Sequence, residues 1–509
     1  MMNGPQKSDC CEVAMSPANE IERSIEESEE RRRQAEGNTG DAHTRRTQSR
    51  VSVSQGLDRV RERAKAKKKE RFTSLLHLID LDRLKASYFA LKRDAAPGVD
   101  GVTWEQYGQN LENNVLDLHR RIHRGAYRAS ASRRQYIPKS DGQKRPLGIA
   151  AIEDKVAQRA VVEVLNAIYE RDFLGFSYGF RPGRGQHDAL DALAAGITQT
   201  KVNWIVDADI QSFFDSVSHE WLMRFVEHRV GDSRLLRLIA KWLKAGVMEE
   251  GTLTINERGT PQGAVASPLL ANIYLHYVFD LWAERWRKRH ARGSMIVVRY
   301  ADDIVCGFEH EVEARRFMAE LKERFKQFDL TLHEQKTRLL QFGRFAVQNR
   351  AKRGLGKPET FNFLGFTHIC GRARSGAFQL KRKTRRDRMR TKLRGIKEGL
   401  RRRMHDTFAS QGQWLHRVYR GYCAYHAVPT NLTQLRAFRH HIVVCWWRLL
   451  RRRSQKDRTS WETMARVSDR WLPTPRILHP WPDSRFLVKH PRWEPSARIG
   501  PARFCAGGA

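Results

Sequence analysis

The stretch from residue 295 to residue 308 constrains the fold most, because two adjacent carboxylates separate two runs of apolar and β-branched residues. It reads Met-Ile-Val-Val-Arg-Tyr-Ala-Asp-Asp-Ile-Val-Cys-Gly-Phe. β-Branched residues suit a pleated, half-buried surface, whereas Ala-Asp-Asp suits the turn between two strands. The pattern predicts a β-hairpin with Asp302 and Asp303 at its tip. Two such close charges repel, so a cation would stabilise them, and carboxylate oxygens favour Mg²⁺. A solvated Asp-Asp turn is the alternative that this stretch leaves open.

A third acid, Asp209, follows an earlier apolar run at residues 204–210. If that run is a strand beside the hairpin, three carboxylates meet at one edge of a sheet. Such a set suits a two-metal site for in-line phosphoryl transfer, with ions about 3.5–4 Å apart. Asp207 lies two residues earlier and therefore on the same strand face. We prefer Asp209 as the ligand because it is nearer the strand end, and we interpret Asp207 as a structural acid.

Four motifs in chain order resemble those of reverse transcriptases, and specifically the reverse transcriptase/maturase proteins that bacterial group II introns encode. The Tyr-Ala-Asp-Asp box at 300–303 is shared among reverse transcriptases, while residues 209–215, 259–272 and 361–366 resemble the group II branch. The resemblance covers nearly the whole chain from about Arg71. It implies an α+β fold, a right-hand polymerase with fingers and palm, followed by an α-helical thumb/maturase domain.

The resemblance also implies roles for individual residues. Asp209, Asp302 and Asp303 would be catalytic and would bind two Mg²⁺ ions. The residues with an implied role in nucleotide binding are Lys139, Arg145, Arg133, Phe214, Gln262 and Lys336. Lys139 and Arg145 flank a Ser-Asp-Gly turn, so their hairpin could close over a triphosphate, although basic hairpins are usually only solvated.

Three of these residues have a specific implied function. Phe214 resembles a steric gate that would collide with a 2′-hydroxyl, with a core phenylalanine as the alternative. Gln262 resembles the residue that packs on the incoming nucleotide. Lys336 stands where a lysine near the leaving pyrophosphate is expected, with an ordinary surface lysine as the alternative.

Residues 381–403 contain thirteen Lys and Arg against two acids. Apolar residues at near-helical spacing within this stretch predict a helix with one buried stripe and a basic exterior. In the related maturases the matching region grips structured RNA by backbone and shape. The positions that we expect to contact RNA are Lys381, Arg382, Lys383, Arg385, Arg386, Arg401, Arg402 and Arg403. We expect Trp446 and Tyr422 to belong to the core.

Composition supports a nucleic-acid partner, since the 509 residues carry a formal net charge of +36. No signal-peptide pattern or long uncharged apolar run is present, which favours the bacterial cytoplasm, with nucleoid association during mobility, and no membrane partner. The seven scattered cysteines indicate neither a zinc site nor a disulfide framework.

The predicted organisation has four parts. These are a basic arm at 1–70, fingers and palm at 71–370, a helical thumb/maturase domain at 371–455, and a basic, Pro-rich tail at 456–509 with a DNA-binding role left open. We expect the arm to be disordered or loosely helical, and either solvated or in contact with RNA, and the tail to be irregular from Pro473 onward. The tail has no His-Asn-His nuclease pattern, so we expect an endonuclease-lacking type that primes from an existing nick or a replication-fork strand.

The predicted function is that of an RNA-directed DNA polymerase, a nucleotidyltransferase that also promotes intron splicing and mobility by target-primed reverse transcription. Its partners would be group II intron RNA, an RNA template, a DNA primer or target, and dNTPs. Two alternatives stay open, a non-enzymatic RNA-binding splicing factor and a reverse transcriptase recruited to host defence. The sequence leaves the particular intron, the DNA target, the primer source and the oligomeric state undetermined.

Overall fold

The computed structural model describes residues 44–138, 144–249, 251–255, 258–453 and 459–489. In chain order the helices are α1 (Thr44–Ala66), α2 (Leu81–Phe89), α3 (Trp104–Gln109), α4 (Leu111–Arg124), α5 (Ile152–Asp172), α6 (Gln186–Gln199), α7 (Phe213–Ser216), α8 (His219–Glu227), α9 (Ser233–Lys244), α10 (Ser267–Leu275), α11 (Leu281–His290), α12 (Glu311–Lys326), α13 (Ala346–Lys352), α14 (Arg386–Arg402), α15 (Phe408–His426), α16 (Leu432–Arg453), α17 (Trp461–Ser468) and α18 (Pro482–Lys489). The strands are β1 (Ser132–Pro138), β2 (Lys144–Ile149), β3 (Trp204–Ala208), β4 (Val247–Glu249), β5 (Thr252–Thr254), β6 (Met295–Tyr300), β7 (Asp303–Phe308), β8 (Arg338–Gln341), β9 (Phe361–Phe363), β10 (Phe366–Arg372) and β11 (Phe378–Thr384).

Two compact units divide these elements. The first combines Met1–Arg171 with Val226–Ser267, and the second combines Asp172–Phe225 with Pro268–Ala509. Helices and sheets occur in both, which confirms the prediction of a mixed α and β fold.

The first unit contains a four-stranded sheet in the order β2-β1-β4-β5. Strands β1 and β2 form the predicted basic hairpin, in which Ile137 pairs with Arg145. The helical spacing of Val156, Ala160, Val164 and Ile168 predicts a helix after this hairpin, which is confirmed as α5 and is buried on most of its surface.

The second unit contains an antiparallel sheet in the order β6-β7-β3-β8. The predicted hairpin is confirmed, since β6 pairs with β7 and Tyr300 lies opposite Asp303. The central strand β3 pairs with β7, which places Ala208 opposite Ile304. Helix α12 has Phe317 buried completely and so supplies apolar side chains to the core. The sheet thus brings the ends of β3 and of the hairpin to the same edge.

The second unit also contains a three-stranded sheet, β11-β10-β9, and a group of helices after it. Trp446 is completely buried and Tyr422 nearly so, which confirms their predicted place in the core. The predicted helical region begins at residue 371, but β11 continues to Thr384 and helix α14 starts at Arg386. The pairing of β10 with β11 from Phe366↔Thr384 onward extends strand structure beyond the predicted boundary.

Helices are present at both ends of the described chain. Helix α1 lies in the arm that was expected to be disordered or loosely helical, and Leu57 and Ala64 on it are buried. Helix α17 precedes Pro473, and α18 lies in the part of the tail that was expected to be irregular. Burial of a few apolar side chains stabilises these helices despite the polar composition around them. Within the described ranges no helix is both long enough and apolar enough to span a bilayer.

Candidate active site

Three carboxylates stand at one edge of the sheet in the second unit. Asp209 follows the last residue of β3, while Asp302 and Asp303 occupy the turn between β6 and β7. Because β3 pairs with β7 up to Ala208, the end of β3 lies beside the hairpin tip. Asp209 and Asp302 are half-buried, and Asp303 keeps contact with solvent.

The electrostatics of Asp303 show that these acids influence one another. Desolvation, and after it the charges of Asp302 and Asp209, raise the pKa of Asp303 to about 7. Part of this rise in pKa comes from repulsion by the neighbouring carboxylates. A cation bound beside them would offset that repulsion. A carboxylate whose ionisation is opposed by its neighbours is a typical ligand for a hard divalent cation.

Asp207, the fourth acid nearby, has its own cationic partner. Desolvation raises the pKa of Asp207 to about 6, and Asp209 adds to this effect while Arg338 opposes it. The guanidinium of Arg338 lies 3.6 Å from Asp207 Oδ2. This pairing agrees with the interpretation of Asp207 as a structural acid.

The segment before β8 holds Asp209 in place. The backbone N–H of His333 donates to the Asp209 carbonyl at 2.8 Å, and the N–H of Gln211 donates to the Thr331 carbonyl at 2.8 Å. Lys336 Nζ lies 3.3 Å from Asp209 Oδ2. The same segment therefore fixes the backbone of Asp209 and supplies a cation beside its carboxylate.

A buried arginine that the sequence interpretation missed reaches the hairpin turn. Arg299 has no exposed surface, and its Nη1 donates to the carbonyl oxygen of Ala301 at 2.9 Å. Asp280 accepts two further bonds from the same guanidinium. Arg299 could have been found in the sequence as the single charged residue within the apolar run of β6. A buried arginine requires an acidic partner, so such a residue indicates a polar contact inside the protein.

The donor set fits a divalent metal in its chemistry, because adjacent carboxylates provide the hard oxygen ligands that Mg²⁺ prefers. In the part of the chain that the structure describes, no three His, Cys, Asp or Glu side chains converge closely enough to hold a metal ion. The backbone thus brings the acids to one edge without forming a closed ligand cage.

In the first unit, the predicted nucleotide-binding residues belong to the basic hairpin and to a glycine turn. Arg145 is exposed on β2, and Lys139 lies outside the described residues. Arg133 donates from Nε and Nη2 to the Pro97 carbonyl at 3.1 and 2.8 Å, so its guanidinium supports a neighbouring loop. Arg145 therefore presents a surface cation, whereas Arg133 has an internal structural contact.

The turn that carries Gln262 packs closely on β2. The N–H of Gly148 donates to the Gln262 carbonyl at 2.6 Å, and Gly263 has a φ of 106°. A Cβ on Gly263 would lie 3.1 Å from the Gly148 carbonyl oxygen. Both the positive φ and the close approach require glycine at this position.

Gln158 on α5 is a second residue that the sequence interpretation missed. Its Oε1 accepts from the backbone N–H of Val265 at 2.9 Å and from that of Ala266 at 3.3 Å. The residue is buried among apolar neighbours of α5. A polar residue within an apolar helical pattern was the available signal, since buried amides require hydrogen-bond partners.

The two phenylalanines of α7 differ in burial. Phe213 is 2% exposed, whereas Phe214 is half-buried, and their ring centroids lie 5.4 Å apart in an edge arrangement. The core role therefore belongs to Phe213. The Phe214 ring keeps an accessible surface with which a ligand could make contact.

The predicted RNA-contacting residues are divided by burial. Lys383, Arg386, Arg401 and Arg402 are exposed, Lys381, Arg385 and Arg403 are half-buried, and Arg382 is buried. The prediction is wrong for Arg382, which is 2% exposed and pairs through Nη1 with Asp191 Oδ1 at 3.1 Å. Its side chain points into the protein because β11 alternates between the two faces of its sheet.

Comparisons with known proteins agree on the class of this chain. Residues 137–368 match the family described as reverse transcriptase (RNA-dependent DNA polymerase). Protein YkfC of Escherichia coli (strain K12) is 37% identical over 253 residues, which are 43% of this chain and 66% of that protein. The group II intron-encoded protein LtrA of Lactococcus lactis subsp. cremoris is 34% identical over 222 residues, 43% of this chain and 37% of that protein.

A more distant relative is nuclear intron maturase 4, mitochondrial, of Arabidopsis thaliana. It is 28% identical over 213 residues, which are 42% of this chain and 24% of that protein. The chain thus spans just under two thirds of YkfC and a smaller part of the other two relatives.

Proposed function

The chain belongs to the reverse transcriptase family, of the kind that group II introns encode, and on that premise we propose that it copies RNA into DNA. The observation that carries the proposal is the position of Asp209 at the end of β3, beside the turn that carries Asp302 and Asp303. The mutual electrostatic influence of these acids supports the same proposal.

In the proposed reaction, the 3′-hydroxyl of a primer attacks the α-phosphorus of a dNTP, and pyrophosphate leaves. Asp209, Asp302 and Asp303 would hold two Mg²⁺ ions, which when bound stabilise the attacking and leaving oxygens. The protein contributes positioning and charge and requires no covalent nucleophile. Lys336 would donate to, or screen, the leaving pyrophosphate.

The other nucleotide contacts rest on the resemblance. We propose that Lys139 and Arg145 bind the triphosphate, with Arg133 as a further contact. Gln262 would pack on the incoming nucleotide, and Phe214 would reject ribonucleotides by contact with the 2′-hydroxyl. The half-buried state of Phe214 and the exposure of Arg145 are compatible with these roles.

We extend the proposal to the organisation of the chain. Residues 71–370 would form fingers and palm, and the helices from α14 onward would form a thumb/maturase domain that binds group II intron RNA. Its exposed Arg and Lys residues would contact the RNA backbone. Binding would promote splicing, and mobility would follow by target-primed reverse transcription in the bacterial cytoplasm, at the nucleoid. The tail would contact the DNA target.

The experiment that tests the proposal is primer extension on an RNA template with dNTPs and Mg²⁺. The wild type is compared with Asp302→Asn/Asp303→Asn, which keeps side-chain size while it removes both charges. Glu334→Gln is the matched control, since Glu334 is an exposed acid on the segment that holds Asp209 and is paired only loosely, at 3.9 Å, with Lys322.

Extension by the wild type and by Glu334→Gln, but not by the double variant, would support the polymerase. RNA affinity is measured in parallel, so that loss of extension is not mistaken for loss of template. If the wild type binds RNA tightly and extends no primer across divalent metals and salt concentrations, the chain is a non-enzymatic splicing factor.

A further inference from the structure

We propose that Arg299 is a positioning residue for the turn that carries Asp302 and Asp303, and that Asp280 and Asn272 hold it in that role. The inference rests on the proposed function, because it concerns the same turn. Nothing in the resemblance or in the comparisons assigns a role to these three residues.

The guanidinium of Arg299 is surrounded by acceptors. Nε and Nη2 donate to the two carboxylate oxygens of Asp280 at 2.7 and 2.6 Å. Nη2 also donates to Ser177 Oγ at 2.7 Å, and Nη1 donates to Asn272 Oδ1 at 2.9 Å. The remaining contact, from Nη1 to the carbonyl of Ala301 at 2.9 Å, is the one that leaves the network and reaches the turn.

That carbonyl belongs to the peptide group that joins Ala301 to Asp302. Because a peptide group is planar, a bond to its oxygen also sets the direction in which the backbone of Asp302 leaves the turn. Ala301 has a φ of 55°, a left-handed conformation that residues other than glycine rarely adopt. Such a conformation persists only where the surroundings enforce it, and Arg299 provides one of the required contacts.

The backbone of residues 176–179 also packs closely on the turn. A Cβ on Gly179 would lie only 2.3 Å from the backbone nitrogen of Ala301. Asn272 Nδ2 donates to the Gly179 carbonyl at 2.7 Å, so Asn272 contacts both Arg299 and this segment. The N–H of Tyr178 donates to the Arg299 carbonyl at 2.9 Å. The turn is therefore held both by the Arg299 side chain and by this backbone segment.

Stability alone does not explain a charged pair at this position. Apolar residues of similar volume often replace a buried ion pair without loss of stability, and β6 is otherwise apolar. Burial opposes ionisation of Asp280, but Arg299 and His276 overcome this opposition and hold the pKa of Asp280 below its usual value. The pair is thus charged, and it fixes the direction in which Nη1 of the guanidinium donates to the Ala301 carbonyl.

The test uses the full chain and two measurements. Mn²⁺ binding is followed by electron paramagnetic resonance, which requires no turnover, and primer extension is titrated with Mg²⁺ at saturating dNTP. The variants are Arg299→Met, Arg299→Lys and Gly179→Ala. The last variant keeps both members of the ion pair and displaces the turn by a direct clash with the backbone of Ala301.

Asp191→Asn is the matched control. Asp191 is also a buried carboxylate paired with a buried arginine, and it accepts from Arg382 and Arg485 rather than from residues at the turn. It should therefore reproduce the loss of thermal stability without the effect on metal binding. Circular dichroism and the melting temperature establish which variants are folded.

We expect Arg299→Met to weaken Mn²⁺ binding by about 10-fold or more, in the range found when a group that orients metal ligands is removed. We expect kcat to fall by about 10²-fold, as for a displacement of about 1 Å, with a much smaller change in the KM for dNTP. Gly179→Ala should change both quantities in the same direction. Arg299→Lys should recover part of the loss, because it keeps the charge but not the fork.

The inference would be overturned if folded Gly179→Ala and one of the folded Arg299 variants both showed wild-type Mn²⁺ affinity and wild-type kcat. An equal effect of Asp191→Asn on Mn²⁺ binding would also overturn it, since the effect would then be general destabilisation. If the wild type binds Mn²⁺ but extends no primer, the proposed function fails while the Mn²⁺ comparison still decides the role of Arg299.

Discussion

Lys336 Nζ lies 3.3 Å from Asp209 Oδ2, which places a cation directly beside a candidate metal ligand. The Lys336 side chain is 60% exposed and that of Asp209 is 33% exposed. Exposed ion pairs contribute about 0–1 kcal/mol to stability, so folding does not account for this contact. The exposed ammonium group of Lys336 can move from the Asp209 carboxylate to the leaving pyrophosphate, which suits the role proposed for Lys336.

We therefore predict that Lys336→Met slows nucleotide incorporation by about 10²-fold, the lower end of the effect expected for a general acid. The free energy of unfolding should change by less than about 1 kcal/mol. Single-turnover extension and thermal unfolding measure the two effects. Lys322→Met is the control, because Lys322 is a similarly exposed lysine paired with Glu334. Equal rates for the two variants would remove Lys336 from the mechanism.

A second prediction separates the neighbours Phe213 and Phe214. Phe214→Val should raise the incorporation of ribonucleotides relative to deoxyribonucleotides, because a smaller side chain leaves room for the 2′-hydroxyl. Phe213→Val should instead lower stability, by roughly 2–4 kcal/mol, since its ring is buried in the core. Competition between rNTP and dNTP in primer extension, with parallel melting curves, distinguishes the two. Unchanged sugar selectivity in Phe214→Val would contradict the gate.

The third prediction concerns Gln158 and the turn that carries Gln262. Gln158→Leu removes the acceptor for the N–H groups of Val265 and Ala266, and leaving buried donors unpaired costs about 1–3 kcal/mol each. We expect a higher KM for dNTP in this variant, because the turn loses its support. Gln158→Glu keeps an acceptor and should recover most of the affinity. Steady-state kinetics at saturating template measures this, and an equal KM for the two variants would argue against it.

The fourth prediction concerns pH. Burial raises the pKa of Asp154 to about 6, although hydrogen bonds from Tyr127 and Ser130 oppose the effect. Between about pH 4 and pH 6 the folded state therefore holds a proton that the unfolded chain, with a carboxyl pKa of about 3.9, has released. The contribution to stability is complete below about pH 4 and is lost as the pH rises through 6, a change on the order of 3 kcal/mol.

The Asn side chain of Asp154→Asn cannot lose a proton, so this variant should not lose stability as the pH rises through 6. Its melting temperature relative to the wild type should therefore increase between pH 4.5 and pH 7.5. Asp232 provides a control of opposite sign, because backbone N–H groups overcome its burial and hold its pKa below the usual value. Relative melting temperatures that do not depend on pH would contradict the prediction for Asp154.

The fifth prediction concerns the basic helix α14. Arg401→Glu/Arg402→Glu should weaken RNA binding and reduce its dependence on salt, because exposed cations release counterions from phosphates. Arg382→Met should lower stability without the same change in the salt slope, since it leaves the buried Asp191 without one of its partners. Filter binding at several salt concentrations tests both variants. A matching salt slope in the two would show that exposure does not decide which residues contact RNA.

Much of the local structure could be predicted because it depends on residues that are near each other in the chain. The alternation around residues 295–308 predicts the hairpin, and the apolar spacing along α5 predicts that helix. The predicted boundaries were less accurate at residue 371, where pairing of β10 with β11 continues the strand structure. The tail prediction also missed helix α18, because tertiary contacts stabilise an element that composition alone disfavours.

By itself the sequence determined the class of the chain, the hairpin that carries Asp302 and Asp303, and the third acid at a strand end. Tertiary structure decided which charged side chains are exposed and which polar residues support the functional turns. Arg382 lies in a basic stretch and is nevertheless buried, while Asp280 and Asn272 hold the guanidinium of Arg299 beside the turn. The physical reason is that a buried charge depends on partners that distant segments supply, and no local pattern specifies those partners.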